Sequence, residues 1–96
     1  MNTAELITAH LNAPYGAVIT VDDLAQSLRT GQRKARTAAG NAVLAYLFTE
    51  LEPRLIVTCA QEVGANVSSA HSLYLDTLAH AAHPSPAWER AVADWL

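Results

Sequence analysis

Four of the six Lys and Arg residues of this 96-residue chain lie within eight positions, at Arg29, Arg33, Lys34 and Arg36, with Gln32 among them and Thr37 directly after. The chemistry open to such a set is recognition of anions and base edges. An Arg fork can grip guanine with two hydrogen bonds, Gln can do the same to adenine, and Lys or Thr can hold phosphate. The rest of the molecule gives this cluster no help, because nine acidic residues leave a net charge of −3 and no global field toward nucleic acid or anionic lipid. Binding of that kind has to come from the local patch.

Other reactive residue types are sparse. The single cysteine, Cys59, excludes an internal disulfide framework, suits a reducing compartment, and sits on the apolar side of its helical pattern with no base nearby in sequence. His80 and His83 are three apart, but His71 falls on the apolar face and His80 on the polar face of one helical pattern, so they cannot converge on one metal ion. His10 and His71 are expected to point inward with a hydrogen-bond partner each, and an inward histidine would make stability pH-sensitive. There is no Gly-rich phosphate loop, no nucleophile elbow and no close pair of inward carboxylates. The expectation is a protein that is not an enzyme, with no cofactor and no metal.

The elements that position the basic cluster follow from periodicity and caps. With 51% hydrophobic and 16% charged residues, and about a fifth alanine, the chain suits one helical domain spanning residues 1–96. It has no basic-then-apolar leader and no apolar run near a membrane span, so a cytoplasmic protein without membrane contact is expected. Asn2 with Glu5 caps a first helix from Thr3 to about Leu11, and Pro14, Tyr15 and Gly16 end it. Ala17 to Thr20 is an extended link. Thr20 with Asp23 repeats the start signal for a helix carrying the stripe Val21, Leu24, Ala25, Leu28, and Thr30 with Gly31 breaks it.

From Gln32 a long helix is expected to run to Leu51, opening basic and closing apolar. Ala35, Ala38, Ala39, Ala42, Ala45 and Tyr46 form its inner face, with Arg33 and Arg36 outward. Its second half, through Val43, Leu44, Leu47, Phe48 and Leu51, is apolar all round, as in a central post or a dimer interface. Pro53 opens the next helix, with Leu55, Ile56, Cys59, Ala60 and Val63 on one face. Asn66 or Ser68 caps another, running to about Ala82. Ser85 and Pro86 start a last one, with Trp88, Ala91, Val92 and Trp95 as its stripe. The expected architecture is all-α, five to six helices around one longer helix.

The stretch VDDLAQSLRTGQRKARTA, Val21 to Ala38, resembles the helix-turn-helix unit of bacterial and phage regulators. Leu24, Ala25 and Leu28 stand where that family packs its first helix, and Ala35 and Ala38 where it packs its second. The resemblance implies a recognition helix starting near Gln32, with Gln32, Arg33, Lys34 and Arg36 facing a DNA major groove and Arg29 and Thr37 nearer the phosphates. Arg29 replaces the usual turn glycine, and Gly31 appears two residues later. On this reading the chain is a homodimeric transcription regulator binding double-stranded DNA, and Arg33→Ala or Arg36→Ala abolishes binding and spares the fold. An α+β winged-helix variant would use Ala17 to Thr20 as a strand and Leu55 to Tyr74 as a hairpin. The competing reading is a small acidic inhibitor or antirepressor-like adaptor that binds a protein and not DNA, with Leu44, Leu47, Leu51, Trp88 and Trp95 as its interface.

Overall fold

The computed structural model describes residues 2–80 and 87–96. Within them lie six helices and one four-residue helical turn: α1 (Thr3–Asn12), α2 (Val21–Thr30), α3 (Ala38–Leu44), the turn α4 (Leu47–Glu50), α5 (Pro53–Glu62), α6 (Val67–Leu78) and α7 (Ala87–Trp95). No strand occurs among the described residues, so the winged alternative is set aside. No described helix is long and apolar enough to cross a membrane.

Local signals fix most helix starts. The Asn2 side chain accepts from the Glu5 N–H, and Asn66 accepts from the Ser69 N–H. Thr20 and Asp23 form a reciprocal capping box with bonds of 3.0 and 2.9 Å. Pro53 occupies the first turn of α5, where an absent N–H costs nothing. Gly31 closes α2 in the left-handed region at φ 77°, and its Cα lies so close to α6 that an added Cβ would sit 2.8 Å from Ser72 Cβ.

α6 lies on α2, α5 on α7, and α1 bridges α2 and α5. The core between them holds Ile7, Leu24, Leu28, Leu44, Leu47, Phe48, Ile56, Leu73 and Trp88, each 2% exposed or less. The Cα radius of gyration is 11.8 Å, the size of one well-packed domain of this length.

The long helix from Gln32 to Leu51 does not form. Residues 32–37 are irregular, α3 begins only at Ala38, and a turn at Ala45 and Tyr46 separates it from α4. The reason is competition for backbone donors. The N–H of Gln32 reaches Thr30 Oγ1 at 3.4 Å, Arg33 reaches Asp76 Oδ2 at 3.4 Å, Lys34 reaches Ser27 Oγ at 2.9 Å and Ala35 reaches Asn41 Oδ1 at 3.1 Å. With four successive donors satisfied by side chains, the backbone gains little from a helix there. Thr37, expected near DNA phosphates, instead caps α3 by accepting from the Gly40 N–H at 3.0 Å.

The expected inner face is only partly inward. Ala45 is buried and Ala35 packs half-buried against the core, but Ala38, Ala39 and Ala42 are exposed and Tyr46 is 43% exposed, whereas Gly40, Val43, Leu44, Leu47 and Phe48 are buried. The larger aliphatics bury more apolar area per residue than alanine and take the core. α6 ends at Leu78, short of the expected Ala82, which lies outside the described residues with His83, Pro84, Ser85 and Pro86.

Candidate functional site

The fold divides the basic cluster of the sequence: Arg33 is taken into it, whereas Arg29, Lys34 and Arg36 stay exposed. Arg29 Nε donates to the Val63 carbonyl at 2.8 Å, at the end of α5, where a cation also meets the negative end of the helix dipole. Arg33 is the most engaged: Nε pairs with Asp76 Oδ2 of α6 at 3.0 Å and Nη1 donates to the Asn41 carbonyl at 3.2 Å, with the side chain only 19% exposed. Arg36 lies 3.6 Å from Asp23 and is 73% exposed. Gln32 and Lys34 are exposed on the loop, and the Lys34 ammonium makes no ion pair among the described residues. Lys34 and Arg36 border a shallow depression that also contains Asp22 and Asp23, two carboxylates that oppose a phosphate. The outward side of α3, the first helix after this loop, presents Ala38, Ala39 and Ala42, which carry no donor for a base edge.

The residues expected to form a protein interface are mostly interior. Leu44, Leu47 and Trp88 are fully buried, and Leu51 and Trp95 are half-buried against the same core. Cys59 is buried as well. Burial, then the charge of Glu62, pushes its thiol up to about 11, so it stays protonated at neutral pH. His10 is exposed, contrary to its expected inward position, because Ile7 and Leu11 take the core side of α1. His71 is half-buried and accepts from Trp88 Nε1.

A different region combines concavity with exposed apolar groups. Two adjoining dimples, about 290 and 190 Å³, lie between the end of α1, the α1–α2 loop and α3, and share Tyr15, Val43 and Tyr46 as lining. His10, Leu11 and Pro14 complete the larger; Val18, Ala39 and Ala42 complete the smaller. Neither contains a carboxylate, in a chain with nine of them. Tyr15 is 63% exposed.

The loop wall is held by Asn12. Its Oδ1 accepts from the N–H of Val18 and of Ile19, both at 3.1 Å, and its Nδ2 donates to the Ile19 carbonyl at 2.9 Å. The Asn12 carbonyl accepts from Tyr15 and Gly16 at 2.9 and 2.8 Å. The α3 wall is set by Gly40, against which the loop packs so tightly that a Cβ would meet the Val18 carbonyl oxygen at 2.6 Å. The groove therefore has two rigid sides tied to each other. Sequence reasoning missed it because Tyr15 and Tyr46 come together only in the fold; Pro14-Tyr15-Gly16 was legible as a break, not as a wall.

No protein-family model, no curated protein and no solved structure matches this chain.

Proposed function

We propose that this chain is a small protein-binding adaptor or inhibitor that seats the apolar face of a partner protein's helix in the groove between Tyr15 and Tyr46. The observation that carries the reading is the groove itself: two exposed aromatic walls around a floor of Val18, Ala39, Ala42 and Val43. Tyrosine covers apolar area while keeping a polar tip in water, which is why interfaces favour it. Alanines at positions 39 and 42 let another helix approach closely, and two adjoining dimples suit successive anchors of one helical stripe. The absence of carboxylates from the lining leaves an acidic flank on the partner unopposed, and the phenol and imidazole groups in it can accept or donate hydrogen bonds.

Selection from a displayed library of helical peptides tests this. The expected outcome is enrichment of sequences with apolar residues at i, i+3 or i+4, and i+7, whose binding falls at least about tenfold with Ala42→Glu or Tyr46→Ala while the melting temperature is unchanged, since both positions are exposed. Binders indifferent to Ala42→Glu, or no enrichment, overturn it. Retention of a two-fold symmetric duplex, with affinity falling steeply with salt and dependent on Gln32, Lys34 and Arg36, would instead return the chain to the DNA-binding regulators. Sedimentation equilibrium separates a homodimer from the 10.3 kDa monomer.

A further inference from the structure

We infer that the helix seated in the Tyr15–Tyr46 groove carries a carboxylate at one end of its apolar stripe, and that Arg33 and His80 receive it. The inference rests on the helix-binding reading of the groove and adds the partner's charge and direction. A third dimple, about 390 Å³, continues the other two across the outward side of α3: it shares Tyr46 with both and Ala42 with the smaller. Its lining differs in kind. Arg33, Asn41 and His80 stand around Ala38, Ala42 and Ala45, so the strip runs from apolar and aromatic walls at α1 to nitrogen donors near the end of α6. No Asp or Glu among the described residues lines any of the three dimples.

Arg33 is the group suited to an anion. Its side chain is only 19% exposed, and its plane is fixed by Nε on Asp76 and Nη1 on the Asn41 carbonyl. A guanidinium has five N–H hydrogens, and the three left over have no acceptor among the described residues. A second carboxylate can therefore bond to a fork that is already oriented, without displacing Asp76 and with little side-chain freedom left to lose. Asp76 offsets part of the positive charge, so the directed N–H groups, with the His80 imidazole as a further donor, supply most of the attraction. The opposite end of the strip offers His10 and no guanidinium. This difference between its ends gives the partner helix one direction.

The test uses the full chain and helical peptides selected on it, synthesised in pairs with Glu or Gln at the end of the stripe. Selected sequences are expected to carry Glu or Asp at one and the same end. The parent should bind the Glu peptide about fivefold tighter than its Gln twin, the margin of a charge-assisted hydrogen bond over a neutral one, and high salt should narrow that ratio. Ala38 is exposed and lines the third dimple, so its variants change the charge there and leave the Arg33 clamp in place. Ala38→Glu is expected to erase the preference and Ala38→Lys to widen it, with affinity for the Gln peptide held within about twofold. Helical binders with no acid at either end, or a Glu preference that Ala38→Glu leaves intact, overturn this inference while the groove reading stands. An absence of helical binders overturns both. Self-association of the chain that Ala42→Glu abolishes would assign the strip to a second copy, and likewise overturns the acidic helix.

Discussion

Replacing Arg33 with alanine separates a structural from a purely functional basic cluster. Its guanidinium holds three parts of the molecule together: the loop that carries it, Asp76 on α6 and the Asn41 carbonyl on α3. A hydrogen bond to a charged partner contributes about 1.5–3 kcal/mol when buried, and Asp76 is 37% exposed, which places this pair near the lower end. Loss of the Asn41 contact and of the packed side-chain stem brings the expected cost to about 2 kcal/mol. In a domain of this length that lowers the melting temperature by about 8–16 °C. Arg36→Ala, with a 3.6 Å contact and a 73% exposed side chain, should cost no more than about 0.5 kcal/mol. Urea unfolding followed by circular dichroism, with Asp76→Asn and the double variant completing a cycle, measures both the loss and the coupling. If Arg33→Ala and Arg36→Ala both fall within about 0.5 kcal/mol of the parent, the clamp is decorative and the reasoning fails.

Two further outcomes follow from packing and burial. Gly40→Ala should destabilise by about 1–3 kcal/mol although alanine is the better helix former, because its Cβ meets the Val18 carbonyl oxygen at 2.6 Å and Ala35 Cβ at 2.7 Å; a neutral or raised melting temperature would refute the close approach of loop and α3. The Cys59 thiol is raised from 9.0 to about 11, so the folded state keeps its proton longer than the unfolded chain; this contribution to stability is fully present below about pH 9 and is lost as pH rises toward 11. A Cys59→Ala variant should lack that component of the alkaline decline, and native alkylation at neutral pH should be slow until the protein unfolds.

The features legible in the sequence were those written locally. Asn2, Thr20 with Asp23, Pro53 and Asn66 act on backbone groups within three residues, so the starts of α1, α2, α5 and α6 fell where their caps stand. Residues 32–37 were not legible because the acceptor that draws the Arg33 N–H out of a helix, Asp76, lies 43 positions away. The alanine face misled for a related reason: alanines at 38, 39 and 42 satisfy the helical period as well as the aliphatics do, and only the competition for core volume shows which set goes inside. His10 was lost to the same competition. The groove had weaker signals still, since its lining comes from two segments some thirty residues apart and its loop wall depends on the three hydrogen bonds of the Asn12 side chain.

Clustering along a chain is a statement in one dimension, and this fold spreads it over three. Arg29 leaves the end of α2 for the last carbonyls of α5, Arg33 turns to α6, and Arg36 turns back toward the capping-box carboxylate that opens α2. Arg33 and Arg36 find acceptors that a straight helix from Gln32 would have carried them away from. Breaking the helix at the loop thus does two things at once. It lets Arg33 reach α6, and it starts α3 late enough that Thr37 caps it and Gly40 meets the α1–α2 loop. The same break that removes a continuous basic helix face therefore sets the two walls of the Tyr15–Tyr46 groove. Arg33 is thereby built into the scaffold, and the groove that the scaffold positions is lined by apolar and aromatic groups.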